Sequence, residues 1–371
     1  MNVGPLSLLV LQPTPFCNID CGYCYLNNRS DRTVMAPEVL ELALRRAFEC
    51  GLIRGRLEIL WHSGEPLVVG REFYARATET IARLRPAPVE VVQFLQTNGM
   101  LIDERWCEVF RASGMYLGVS LDGPEDIHDA HRKTRSGAGT FQQTMRGIDC
   151  LRSAGVPFSV LAVLTKQSLG ATGRVLDFFE REGLRELGFN LEEMDGGHRR
   201  WSFDSKGEAE ALFQGFAREA KQRHLEGRLN IREIKQISER LKSGGMKPKV
   251  QAIALRNVTV GADGWFSTFC PELHDARMKD GHRYRFGNVV ENDFIDIFAN
   301  EHFLAVHREV MDGAQKCAAT CSRFEICGSP QVGNKYFENG SFDTAETLAC
   351  RMRIKAVADE IERQPACAAV A

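Results

Sequence analysis

From Leu6 to Leu191 the chain alternates short apolar runs with longer stretches whose apolar residues recur every three to four positions. Leu6–Gln12 reads as a buried strand, then a loop rich in Pro and Cys, then Pro37–Cys50 as a helix with Pro in its first turn. The alternation continues with Arg56–Trp61 (strand), Arg71–Leu84 (helix), Val89–Leu95 (strand) and Asp103–Ala112 (helix). Met115–Leu121 and Thr140–Ala154 follow, then Pro157–Leu164 and Ala171–Arg181, and last the strand Glu186–Leu191. Six strands separated by five helices predict βα units in a parallel α/β sheet. Eight units close a barrel, so six predict an open or partial one.

Beyond residue 195 the rhythm changes. Residues 195–245 are charged, with helical stretches at Lys206–Glu226 and Arg232–Lys242, and end in the linker-like Ser-Gly-Gly-Met-Lys-Pro-Lys. Asn257–Gly261 and Trp265–Phe269 flank an Ala-Asp-Gly turn and predict a β-hairpin. The remainder reads as short elements with little core, closed by a helix around Thr344–Glu362. Three segments are expected: 1–195 as the partial barrel, 196–255 as a helical linker region, and 256–371 as a small loop-rich domain.

The 371 residues carry a net charge of −2, with 44% hydrophobic and 26% charged residues. That is globular usage, and it gives no electrostatic case for nucleic acid or an anionic membrane. The start lacks a basic signal-peptide region, and charges interrupt every apolar run before about 18 residues, so a cytoplasmic protein is expected. Twelve cysteines in such a chain read first as metal ligands, because cytosolic thiols stay reduced. Cys17, Cys21 and Cys24 form one cluster; Cys317, Cys321, Cys327 and Cys350 form another. Cys50, Cys107, Cys150 and Cys367 read as packing or surface residues.

The first cluster sits in the loop after the first strand, where parallel sheets place their sites. Three thiolates can wrap one side of an iron–sulfur cube and leave one iron open to a small molecule. A zinc site is the alternative, but zinc prefers four ligands and no fourth lies nearby. The pattern C-x3-C-x-aromatic-C, matched at Cys17, Cys21, Tyr23 and Cys24, resembles the radical SAM superfamily. The resemblance implies a partial (β/α)6 barrel and a 4Fe–4S cluster whose open iron chelates S-adenosylmethionine. One electron then splits that cofactor to a 5′-deoxyadenosyl radical.

Other motifs fall where that resemblance expects them. His62-Ser63-Gly64-Glu65-Pro66 looks like the family's Gly-Gly-Glu-Pro loop beside the methionine amino group, with Ser63 in place of the first glycine. Gln96-Thr97-Asn98-Gly99 looks like its Thr-Asn-Gly turn, assigning Asn98 to the cofactor. Ser120 and Arg132 are expected to meet the ribose or the carboxylate of S-adenosylmethionine, an arginine fork suiting a carboxylate. Read alone, each is as readily a cap or a surface residue. Asp122 and Glu192 are candidate proton acceptors; Glu192 lies in the run Asn190–Asp195, for which a solvated acidic loop is the alternative.

The second set, spaced C-x3-C-x5-C with Cys350 downstream, supplies four thiolates and so a closed cluster suited to electron transfer, or a structural zinc. Its flanks resemble the SPASM extension of peptide-modifying radical SAM enzymes. Full SPASM domains carry seven cysteines, and only Cys270 remains of the first auxiliary set, so one auxiliary 4Fe–4S cluster is expected. The stretches at residues 8–14, 62–66, 190–193 and 334–342 resemble the maturases of glycine-rich-repeat peptides, which form cyclophanes. That resemblance implies a ribosomal precursor peptide as substrate, a carbon–carbon crosslink between an aromatic ring and a β-carbon, and a flavodoxin- or ferredoxin-type electron donor. Sulfatase-maturase-like oxidation of Ser or Cys to formylglycine is the alternative reaction; a non-catalytic iron–sulfur or zinc-binding protein is the alternative of another class. With the first strand beginning a few residues after Met1, no separate leader-binding domain is expected.

Overall fold

The computed structural model describes residues 3–193, 201–244, 252–329 and 332–363. Its first part is the expected succession of strands and helices. In order they are β1 (Leu8–Leu11), α1 (Pro37–Glu49), β2 (Arg56–Trp61), α2 (Arg71–Leu84), β3 (Glu90–Thr97), α3 (Glu104–Ser113) and β4 (Tyr116–Ser120). Then come α4 (Glu125–His131), α5 (Phe141–Ser153), β5 (Phe158–Leu164), α6 (Lys166–Gly170), α7 (Thr172–Arg181) and β6 (Glu186–Leu191). Strands β1 to β6 pair in sequence order, each parallel to the next. The fold is α/β with a parallel sheet, as expected.

Alternation along the strands explains the layering. In β2, Leu57, Ile59 and Trp61 are buried, whereas Glu58 and Leu60 are only half-covered on the opposite face. The buried row meets the helices. Trp61 packs edge-on to Tyr74 of α2 with ring centroids 5.3 Å apart, and Tyr74 meets Trp106 of α3 at 5.7 Å. The other row lines the concave interior of the open sheet.

Next in the chain are α8 (Lys206–Leu225), β7 (Asn230–Ile231), α9 (Arg232–Lys242), β8 (Asn257–Val260) and β9 (Trp265–Thr268). Strand β7 adds to β6, and the expected hairpin β8–β9 forms. Strand β8 also runs parallel beside β1, so the sheet continues across the far edge: β10-β9-β8-β1-β2-β3-β4-β5-β6-β7, with β10 at Gly287–Asn288.

The last segment departs from its reading as short elements with little core. Helix α10 (Glu301–Thr320) is 20 residues long. Its buried stripe of Phe303, Val306, His307, Val310, Gly313, Ala314 and Cys317 has helical spacing, but three of its members are not hydrocarbon and dilute the pattern. Around it Tyr284, Phe286, Phe303 and Phe342 are buried against one another. After α11 (Phe324–Cys327) and α12 (Val332–Asn339), the closing helix is built of α13 (Leu348–Cys350), a π-helical stretch Arg351–Ala356 and α14 (Val357–Glu362). Asp195, Cys367 and the end of the Ser-Gly-Gly-Met-Lys-Pro-Lys linker lie outside the described residues.

Candidate active site

The loops at the carboxyl ends of the strands meet in a cavity of about 290 Å³ that Cys17, Cys21 and Cys24 enter from the loop after β1. That loop is fastened by its backbone. Asp20 N–H donates to the Lys133 carbonyl at 2.7 Å and Gly22 N–H to the His131 carbonyl at 2.9 Å. Arg135 Nε donates to the Cys17 carbonyl at 2.9 Å, and Arg29 Nη1 reaches the Cys21 and Cys24 carbonyls at 3.4 Å. The backbone that carries the three thiols is thereby tied to the end of α4 and the segment after it.

Burial, with the Glu65 carboxylate nearby, pushes the Cys17 thiol up to about 12; burial also lifts Cys21 to about 12. Such thiols hold their protons at neutral pH unless a positive centre replaces them, so the donor set fits an iron–sulfur cluster. Among the described residues no three His, Cys, Asp or Glu side chains converge on one ion. A polynuclear cluster needs no such convergence, because each iron takes one thiolate.

Beside the thiols, the loop after β2 turns on two left-handed residues. Ser63 has φ 80° and Gly64 φ 58°. A Cβ at Gly64 would collide with the carbonyls of Phe16 and Thr14, in the cysteine loop itself. Ser63 occupies a conformation that favours glycine, and its buried hydroxyl has no hydrogen-bond partner among the described residues. Glu65 turns its carboxylate inward. It accepts from Leu67 N–H at 3.0 Å, Thr97 Oγ1 at 2.7 Å and Asn98 N–H at 2.7 Å, tying the loops after β2 and β3 together. Asn98 in turn donates to Asn18 of the cysteine loop at 2.7 Å. Ser63→Gly is expected to stabilise the fold by about 1 kcal/mol with the N-terminal iron retained, and Gly64→Ala to lose that iron. Thermal melts and iron content of the two variants check this.

The candidates after β4 divide. Ser120 lines the cavity and accepts from Gln96 Nε2 at 2.9 Å. Arg132, buried and also lining it, gives Nε and Nη2 to the Asp122 carboxylate at 3.0 and 3.1 Å. Asp122 further accepts the Tyr23 hydroxyl and, at 2.9 Å, Val163 N–H. Burial works against its charge, but Arg132, then His128, holds its carboxyl below the usual range. A carboxylate so engaged is a poor proton acceptor. The expectation of Asp122 as base therefore gives way to a positioning role, in which it aims Arg132 and Tyr23. Tyr23 itself lies with its ring 5.5 Å from the Arg132 guanidinium.

Glu192 does line the cavity, with its carboxylate accepting from the backbone and hydroxyl of Ser202. Glu193, the next carboxylate of the acidic run, accepts from Asn334 Nδ2 at 2.7 Å and Arg353 Nη1 at 3.2 Å. One neighbour was not visible in the sequence. Glu272, brought in from the segment after β9, faces the cavity, and burial, then the Glu193 charge, pushes its carboxyl above the usual range. No motif marks Glu272; only its place two residues after Cys270 could have drawn notice. His62, which also lines the cavity, is pushed down to about 4 by burial and is neutral at physiological pH.

The second cysteine set also assembles. Cys317 lies in the last turn of α10, Cys321 caps it, Cys327 ends α11 and Cys350 ends α13. Burial pushes Cys327 up to about 12, and Cys350, Cys317 and Cys321 each add to the rise, placing the four together. Cys270 lies elsewhere, against Gly333 of α12. The four thiols fit a closed cluster.

Comparison with known proteins agrees with this geometry. The Radical SAM superfamily model matches residues 11–195. An uncharacterized protein of Synechocystis sp. is 35% identical over 97% of this chain and 92% of its own length. The serine-type anaerobic sulfatase-maturating enzyme of Klebsiella aerogenes is 32% identical over 62% of this chain, which spans 58% of that enzyme. Among solved structures, native anSMEcpe with bound AdoMet and Cp18Cys peptide superimposes with a TM-score of 0.79 at 21% identity, covering 95% of this chain and 96% of that one. Streptococcus suis SuiB bound to S-adenosylmethionine gives 0.64 at 18%, covering 94% and 77%. With its three-cysteine loop at the mouth of a parallel α/β sheet, the chain belongs to the radical SAM superfamily, whose cofactors are a 4Fe–4S cluster and S-adenosylmethionine.

Proposed function

We propose that the chain is a peptide maturase that joins an aromatic ring to the β-carbon of a nearby residue in a ribosomally made precursor. The observation that carries this reading is the pairing of an open three-thiol loop on a cavity with a separate, closed set of four thiols. The sulfatase-maturating relatives, and SuiB solved with its precursor peptide SuiA, support a peptide substrate. The stretches that resemble glycine-rich-repeat maturases favour the crosslink.

Bound to the cysteine loop, the cluster and S-adenosylmethionine supply a hydrogen-abstracting radical. The chain's residues do the rest. Arg132, held by Asp122, offers a guanidinium to the cofactor's carboxylate; Ser63, Asn98 and Ser120 line its berth. Closing a bond onto an aromatic ring leaves one proton and one electron to remove. Glu272 takes the proton, since burial raises its carboxyl above the usual range and so makes it the stronger proton acceptor. Glu192 is left to shape the cavity wall. The four thiols at Cys317, Cys321, Cys327 and Cys350 would hold an auxiliary iron–sulfur cluster, which would supply a one-electron acceptor.

Glu272→Gln is expected to cut crosslinked product by about a hundredfold or more while S-adenosylmethionine cleavage persists. In the unaltered enzyme, product formation should rise with pH as Glu272 deprotonates, above the pH at which an ordinary glutamate does. A flat profile would remove Glu272 from the role.

The second reading, formylglycine formation, rests on the sulfatase-maturating relatives, which are 30–33% identical over about half the chain. Mass spectrometry of the precursor encoded beside the gene separates the two. A crosslink removes two hydrogens and ignores hydrazide reagents, whereas formylglycine is trapped as an aldehyde adduct.

A further inference from the structure

Helix α12 sends a lysine into the protein beside the four-thiol set. Lys335 is 5% exposed. Its Nζ donates to the Gly313 carbonyl at 2.8 Å and to Ser329 Oγ at 3.0 Å. Ser329 Oγ then donates to Cys317 Sγ at 3.6 Å. Gly313 and Cys317 stand one turn apart on α10, so both arms of the lysine end on the helix that carries a ligand. Both acceptors are neutral, and among the described residues no carboxylate pairs with Lys335.

A buried cation without a counter-charge is costly, and the cost grows as the surroundings dry. Ser329, which accepts one arm of the lysine, holds a left-handed conformation at φ 58°. Position 313 is glycine because a Cβ there would collide with the Phe342 backbone carbonyl, and the same point stands 3.1 Å from Nζ. The negative charge this arrangement awaits is next door. Four cysteine thiolates around an iron–sulfur cube carry net negative charge in both redox states, one unit more when reduced.

We propose that Lys335, acting through Ser329, is the fixed counter-charge of the auxiliary cluster and raises its reduction potential. The inference rests on the reading that Cys317, Cys321, Cys327 and Cys350 hold an iron–sulfur cluster. A cation at fixed distance favours the more negative, reduced state, and a hydrogen bond to a ligand sulfur acts in the same direction. The oxidised cluster is thereby poised to accept the single electron left on the ring radical after the crosslink closes, while the proton goes to Glu272. A one-electron carrier protein of the flavodoxin or ferredoxin class then reoxidises it. Lys335 touches no substrate; it is a positioning residue for charge.

The test is an EPR-monitored potentiometric titration of the anaerobically reconstituted full chain, with Lys335→Met and Ser329→Ala beside it. Both variants should move the auxiliary midpoint to more negative potential, Lys335→Met further, with the N-terminal cluster's midpoint unmoved. A loaded auxiliary cluster whose midpoint is the same in all three proteins would overturn the inference alone. Zinc in the four-thiol set of the unaltered chain would overturn the cluster reading and the inference with it. Should Lys335→Met fail to assemble its cluster, Ser329→Ala decides: a negative shift supports the relay, and an unmoved midpoint ends it.

Discussion

Changing Cys17, Cys21 and Cys24 together to Ala abolishes S-adenosylmethionine cleavage and leaves about half of the iron. The reconstituted chain is expected to hold about eight irons and eight sulfides, and the triple variant about four of each. The cause is spatial separation. The three thiols stand on one loop after β1, facing the cavity, while the remaining four stand on α10, α11, α13 and the residue capping α10. Each substitution removes one sulfur and leaves the backbone hydrogen bonds that fasten the loop, so the fold itself should survive. Iron and sulfide analysis with chromatographic assay of 5′-deoxyadenosine checks the prediction. Residual cleavage would mean that another site opens an iron.

The second large effect belongs to Asp122. Breaking a buried ion pair from one side typically costs about 3–5 kcal/mol, because the surviving charge is stranded. Asp122→Ala strands Arg132, which is 7% exposed, and frees Tyr23. Loss of stability of that order is expected in denaturant melts, together with weaker S-adenosylmethionine binding. Asp122→Asn isolates the role. If Asp122 were the proton acceptor, cofactor binding would stay normal and only product would fail. As a positioning residue, Asp122→Asn instead weakens binding, toward the thirty- to hundredfold loss that about 2–3 kcal/mol implies for Arg132→Ala. Because the folded-state carboxyl is depressed, its contribution to stability is present above the ordinary aspartate range near pH 4 and is lost as pH falls below it.

The barrel was legible because local and global signals agree in it. Arg56–Trp61, Arg71–Leu84, Glu186–Leu191 and Arg232–Lys242 have the bounds their apolar spacing predicts. Helix α10 was not legible, since His307, Gly313 and Cys317 sit on its buried face for reasons of packing and ligation that hydropathy does not record. The position of β8 beside β1 depends on pairing across 249 residues or so of chain, which no local pattern carries. Within the site, motifs located the cysteines, Ser63, Gly64, Glu65, Asn98, Ser120 and Arg132 around one cavity. They could not say that the Asp122 carboxylate is engaged on every side, nor that Glu193, Glu272 and Arg353 converge from distant segments. Spacing reports which loop a residue is on; hydrogen-bond partners decide what it does there.

The crosslinking reaction is tested most directly by where the radical's hydrogen comes from. A precursor peptide carrying deuterium at the β-carbons of its candidate residues should be incubated anaerobically with the reconstituted chain, reductant and S-adenosylmethionine, and the 5′-deoxyadenosine weighed by mass spectrometry. The account predicts 5′-deoxyadenosine carrying one deuterium, formed in step with a peptide that has lost one deuterium and one ring hydrogen and gives no aldehyde adduct. Unlabelled 5′-deoxyadenosine beside an unchanged peptide would contradict it.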